Sequence, residues 1–119
     1  MVPQVMLSGQ GPRFSRIVHG WWRLNGWGLD RKGICHLIEG CVTQGITTFD
    51  HADIYGEYTC EELFGSALAD SGVDRTAIQL VTKCGIKLVS PRRPSHRIKS
   101  YDTSCAHIVT SVENSLRCL

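Results

Sequence analysis

Six cysteines, Cys35, Cys41, Cys60, Cys84, Cys105 and Cys118, are scattered along 119 residues with no C-x-x-C pair and no Cys/His cluster at zinc-finger spacing. A structural metal site is therefore not expected, and no metal ligands are assigned. No apolar run approaches the roughly 18 to 20 residues that cross a bilayer. Met1 to Gln10 lacks the basic start and the apolar stretch of a secretory signal. The cysteines accordingly read as reduced, mostly structural thiols of a soluble cytoplasmic protein with no membrane partner. Charge of one sign is also scarce: thirteen Lys and Arg against eleven Asp and Glu leave +2, too little to imply nucleic acid or an acidic surface as partner. An apolar fraction of 42% with 20% charged residues is ordinary for a globular chain, makes disorder a poor overall reading and suits one compact domain.

What is present is a regular alternation. Arg16 to Gly20 reads as a short strand, followed by the cluster Trp21, Trp22 and Trp27. Asp30 can cap a helix whose apolar face is Ile34, Leu37, Ile38, Cys41 and Val42, and Gly45 supplies its stop. Ile46 to Asp50 is a second strand, leading into the loop His51 to Tyr58. Thr59 and Glu62 have capping-box spacing at the start of a second helix, with Leu63, Phe64, Ala67 and Leu68 as its buried stripe up to Gly72. Ile78 to Lys83 is the third strand. Cys84 to Thr103, rich in Pro, Arg and Ser and without period, reads as a long surface loop. From about Ser104 a helix places Ile108, Val112, Leu116 and Leu119 on one face.

Strand, helix, strand, helix, strand, helix implies parallel strands joined by crossovers, which open doubly wound sheets and closed (β/α)₈ barrels share. The landmarks favour the barrel. Gly20, Asp50 and Lys83 each end a predicted strand, at separations of 30 and 33 residues. A barrel of about 250 residues repeats every ~31, which puts all three on the rim where barrel enzymes keep their chemistry. The fold expected is α/β, the first three βα units of an incomplete (β/α)₈ TIM barrel, with residues 1–119 as the amino-terminal part of a single domain.

Asp50, Tyr55 and Lys83 form a chemically coherent set. A phenol is a sluggish acid at neutral pH, and a neighbouring ammonium stabilises its phenolate. A lysine in such a pocket needs a carboxylate to stay charged. Lys83 can tune Tyr55, and Asp50 can hold Lys83 protonated. Any one of them alone would be read as a surface ion pair or a half-buried tyrosine; the spacing of all three is what points to catalysis.

The local order in GITTFDHADIYGEYTCEELFG, Gly45 to Gly65, resembles the signature of the aldo-keto reductases, with Asp50, Ala52, Tyr55, Gly56, Glu61 and Gly65 in the matching places. VTKCG, Val81 to Gly85, is similar to that family's third strand with its lysine, and HGWWRL, His19 to Leu24, to its Gly-x-Trp turn. The resemblance runs from Phe14 onward and is close to bacterial oxidoreductases of the family. It implies hydride transfer from NADPH, bound without a Rossmann glycine motif, to an aldehyde or ketone, so the partner is a small carbonyl substrate. Catalysis falls on Asp50, Tyr55 and Lys83, and nicotinamide binding on Gly20, Trp21, Trp22 and Asp50. The family's fourth catalytic residue, a histidine ending the fourth strand, has no counterpart among the five histidines. The resemblance thus carries two readings: an NADPH-dependent reductase, or a truncated chain that is inactive or serves as a non-enzymatic, cofactor-binding regulatory subunit.

Other features read more plainly. Trp27 reads as packing, and His51 as a packed or loop histidine rather than a ligand. Arg92, Arg93, Arg97 and Lys99 read as a solvated loop rather than a nucleic-acid surface, having only Tyr101 as an aromatic neighbour. Cys84 reads as a small packing residue.

Overall fold

A computed structural model describes all residues, 1–119. The chain opens with an antiparallel hairpin, β1 (Gln4–Met6) and β2 (Arg13–Ser15), and then alternates through β3 (Val18–Gly20), α1 (Arg31–Thr43), β4 (Thr48–Asp50), α2 (Cys60–Asp70) and β5 (Gln79–Val81). Two short strands, β6 (Ile86–Lys87) and β7 (Ser100–Tyr101), precede α3 (Cys105–Cys118). β3, β4 and β5 form one parallel sheet in sequence order, with Gly20, Asp50 and Val81 side by side at its carboxyl end. Sequential order is how a barrel begins, and the outer strands β3 and β5 are unpaired on their far sides, so the barrel is not closed.

Alternation along β4 sets the two faces of this sheet. Phe49 points to the helical layer and packs with Phe64 of α2 and with Trp21, at ring separations of 5.6 and 6.0 Å. Ile34, Ile38 and Cys41 of α1 and Ala67 and Leu68 of α2 complete that core. Thr48 points the other way, where the β1–β2 hairpin covers it: its hydroxyl oxygen accepts from the Ser15 amide at 2.9 Å and it is fully buried.

The expected elements are present with shorter strands. The ends of the apolar runs are used elsewhere: the Arg16 amide donates to Pro3 in the hairpin, and the Ile46 amide returns to Cys41 to close α1. Asp30 caps α1 as expected, accepting from the Gly33 amide at 2.8 Å, and Gly45 adopts φ +83°, a left-handed value that glycine supplies without strain.

Two details of α2 differ from expectation. The capping box is not made, because the Thr59 hydroxyl donates to the Gly56 carbonyl at 2.6 Å and accepts from Asn25, while Glu62 pairs with Arg92 at 2.5 Å. Leu63, placed in the buried stripe, is 42% exposed. The loop from Cys84 to Thr103 is also more ordered than its composition suggests, since β6 and β7 pair within it.

α3 docks on α2 by its polar side. Ser111 and Ser115 are buried, whereas Ile108, Val109, Val112 and Leu116 face solvent. The two helices approach closely at Gly65, where a Cβ would clash with the Cys118 carbonyl oxygen.

Candidate active site

The rim at the carboxyl end of β3, β4 and β5 continues beyond the strands as a ladder of amide bonds. The Trp21 amide donates to Asp50 at 3.0 Å, the His51 amide to Val81 at 2.8 Å and the Asp53 amide to Lys83 at 3.1 Å. This holds the ends of three strands in register, and three of the expected side chains meet there. Lys83 Nζ donates to both carboxylate oxygens of Asp50, each at 2.9 Å, and to the His51 carbonyl at 2.6 Å. The same nitrogen lies 5.0 Å from the centre of the Tyr55 ring. Tyr55 is held by its backbone, whose carbonyl accepts from the amides of Thr59 and Cys60 at the start of α2.

Electrostatics keep Lys83 charged. Partial burial pulls its ammonium down, but the hydrogen bonds and charge of Asp50, reinforced by Tyr55, outweigh this and leave it above the ordinary lysine value. The pair is half-exposed, so it fixes geometry and charge more than stability.

The two adjacent tryptophans have opposite fates. Trp21 is fully buried against Phe64, at 4.7 Å between ring centres, so its indole packs in the core and offers no open surface to a ligand. Trp22 is 62% exposed, its ring 6.4 Å from that of Tyr55 and its face covered by the Arg23 guanidinium at 4.6 Å. Gly20 stands beside Asp50 with nothing within 4 Å of where a Cβ would be, leaving the rim open at that point. Trp27 packs at the margin of the core, 5.5 Å from Trp21 and partly exposed.

His51 is a packed histidine, as read. It is fully buried, stacks on Trp21 and meets Phe64 at 4.3 Å, and neither ring nitrogen has a partner. Burial foremost lowers its pKa from 6.5 to about 4, with Lys83 and His19 adding to the shift and Asp50 opposing it. Because the folded value lies below the unfolded one, the unfolded chain binds the extra proton between these pH values. The stability from neutral His51 is complete above about pH 6.5 and falls as pH drops toward 4. The expected loss at pH 5 is about 2 kcal/mol. Urea unfolding at pH 7.5 and 5 should show it, and His51→Phe should remove most of that difference; an unchanged pH dependence in the variant would contradict the assignment.

Sequence reasoning missed the turn that leads from Tyr55 into α2. Gly56, Glu57 and Tyr58 are successive left-handed residues, at φ of 62, 55 and 68°. For the two non-glycines this carries strain. Tyr58 is anchored nonetheless, its hydroxyl oxygen accepting from the Leu88 amide at 2.8 Å and its ring lying under Arg93. No local sequence signal marks this role, because its partners are some 30 residues away.

An aspartate at the end of β4 bound to a lysine just beyond β5, beside a tyrosine, is the arrangement the motifs anticipate. The model of the aldo/keto reductase family matches residues 16–119. The chain belongs to the aldo/keto reductase family. It is 61% identical over 104 residues to the uncharacterized oxidoreductase YcsN of Bacillus subtilis, covering 87% of this chain and 35% of that protein. It is 49% identical over 106 residues to 6-dehydroglucose reductase of Agrobacterium fabrum, again 87% of this chain and 35% of the relative. Among solved structures, the holo form of the aldo-keto reductase AKR11C1 of Bacillus halodurans matches with a TM-score of 0.79 at 27% identity, over all of this chain and 37% of the other. The chain thus spans about a third of the length of these relatives, and its fold is the corresponding part of their α/β barrel.

Proposed function

We propose that this member of the aldo/keto reductase family takes part in NADPH-dependent reduction of small aldehydes or ketones, with Tyr55 as the general acid. The observation that carries the reading is the Asp50–Lys83–Tyr55 arrangement on one rim. Asp50 holds the Lys83 ammonium by two hydrogen bonds, and Lys83 faces the Tyr55 ring. A cation so placed stabilises negative charge on the phenol oxygen as its proton leaves for the developing alkoxide. NADPH, when bound, supplies the hydride. Gly20 fits its nicotinamide end, since the rim is open there, and Asp50 and the exposed Trp22 flank the gap; Trp21 supports the rim from within the core. The relative that reduces 6-dehydroglucose suggests sugar aldehydes as the first substrates to try. Six free thiols fit a reducing cytoplasm.

The reading places residues 1–119 as the amino-terminal part of one barrel domain. A test follows from the Bacillus relative, in which residues 16–119 replace the matching third. The chimera is expected to oxidise NADPH with an aldehyde, whereas residues 1–119 alone are expected neither to bind NADPH tightly nor to turn over. A folded chimera that reduces no member of an aldehyde panel would sink the reading. The open apolar side of α3 favours a second reading, a non-enzymatic binding or regulatory subunit. NADPH binding without turnover, in chain and chimera alike, would select it.

A further inference from the structure

Away from the rim, a cavity of about 470 Å³ lies between the first turn of α2, the β6–β7 excursion and the inward side of α3. Its volume falls within the roughly 300–1,000 Å³ of small-molecule sites. Only three of its fifteen lining residues are hydrophobic, because α3 turns His107, Ser111 and Asn114 toward it and its aliphatic side chains outward. The aliphatic side chains of α3 point elsewhere.

Two carboxylates reach this cavity, and they are served unequally. Glu61 is buried and satisfied, accepting from the hydroxyls of Thr82 at 2.8 Å and Ser115 at 2.9 Å. Asp53 is nine-tenths buried and has no side-chain partner. Burial raises its carboxyl above the usual range; the adjacent Ile54 amide opposes the shift, nearby Glu61 adds to it, and His107 and Arg93 offset part of it. A carboxylate this far from bulk water is costly without a direct ion pair, and Asp53 makes none.

The cations around the cavity are also served unequally. Lys87 is committed to Asp102 at 3.0 Å. Arg93 lies over the Tyr58 ring at 4.3 Å and donates to the Arg92 carbonyl, with no acidic partner. The cavity therefore presents one unpaired carboxylate and one unpaired guanidinium. No group of three or more His, Cys, Asp or Glu is placed to hold a metal ion. A lone cation would leave Arg93 unmatched, and a lone anion would leave Asp53 unmatched.

We propose that this cleft binds a small zwitterion, an amine carrying a carboxylate or phosphate, with Asp53 receiving the ammonium and Arg93 the acid group. Charge-assisted hydrogen bonds at both ends favour such a molecule over one with a single charge.

The probe is 6-aminohexanoate, titrated calorimetrically into the purified 119-residue chain, with hexylamine and hexanoate as singly charged controls. The expected dissociation constant is below about 1 mM, with both controls at least about tenfold weaker. Asp53→Asn and, separately, Arg93→Gln should each weaken the probe about tenfold or more, while Arg97→Gln, exposed on the same loop, should bind as the parent does. Arg93 is only half-buried, so its variant remains informative if Asp53→Asn does not fold. No binding up to about 10 mM by a chain with an ordered tryptophan spectrum overturns the proposal, as does equal binding of the controls or of both site variants. If the chain is only partly folded, the probe should raise its unfolding midpoint, and an unmoved midpoint counts against the site.

Discussion

Lys83→Met in the Bacillus chimera is expected to lower turnover of NADPH with an aldehyde by roughly 10³-fold. Methionine keeps much of the side chain's length and removes its charge. Lys83 connects the site: it bonds both oxygens of Asp50 and faces the Tyr55 ring 5.0 Å away. Without the ammonium, Asp50 loses its counter-charge and the phenol loses the cation that favours proton release. The effect belongs in kcat, because the charge matters most as the alkoxide forms. Tyr55→Phe should cost about as much, and the double variant little more than either single one, since residues of one relay are not additive. A loss below about tenfold for Lys83→Met, or fully additive losses, would remove the relay from the mechanism.

The second large effect is structural. A Cβ at Gly65 would clash with the Cys118 carbonyl oxygen and lie 2.8 Å from its carbon, both backbone atoms that no rotamer change can move. Gly65→Ala should therefore push the last turn of α3 off α2. That breaks the Ser115 bond to Glu61 and leaves a buried carboxylate with Thr82 as its remaining partner. A cost of about 3 kcal/mol is expected, enough to release α3 before the rest of the fold. Hydrogen exchange should show the amides of α3 exchanging about 100-fold faster, with α1 and the β3–β4–β5 sheet unchanged. Unaltered protection of α3 would mean that the helices do not meet as described.

The same contact explains why α3 misleads a reader of the sequence. Its period is that of an amphipathic helix, and Ile108, Val112 and Leu116 do share a side. Periodicity says which residues share a side, not what that side meets. Here the small polar side meets α2, because Gly65 lets the backbones approach and Glu61 needs the Ser115 hydroxyl.

The sequence by itself determined the alternation of parallel strands and helices, the Asp30 cap, the left-handed stop at Gly45 and the spacing that brings Gly20, Asp50 and Lys83 to one rim. These are properties of neighbours along the chain or of a fixed repeat length, and both are written in residue order. Tertiary structure alone decided the rest. Of two adjacent tryptophans, Trp21 entered the core and Trp22 stayed out beside Tyr55; Thr59 turned back to Gly56 instead of capping α2; Tyr58 anchored a loop some 30 residues away; and Asp53 was left nine-tenths buried without a salt bridge. Each outcome depends on groups far apart in sequence competing for the same space and the same hydrogen bonds, and that competition is settled only when the chain packs.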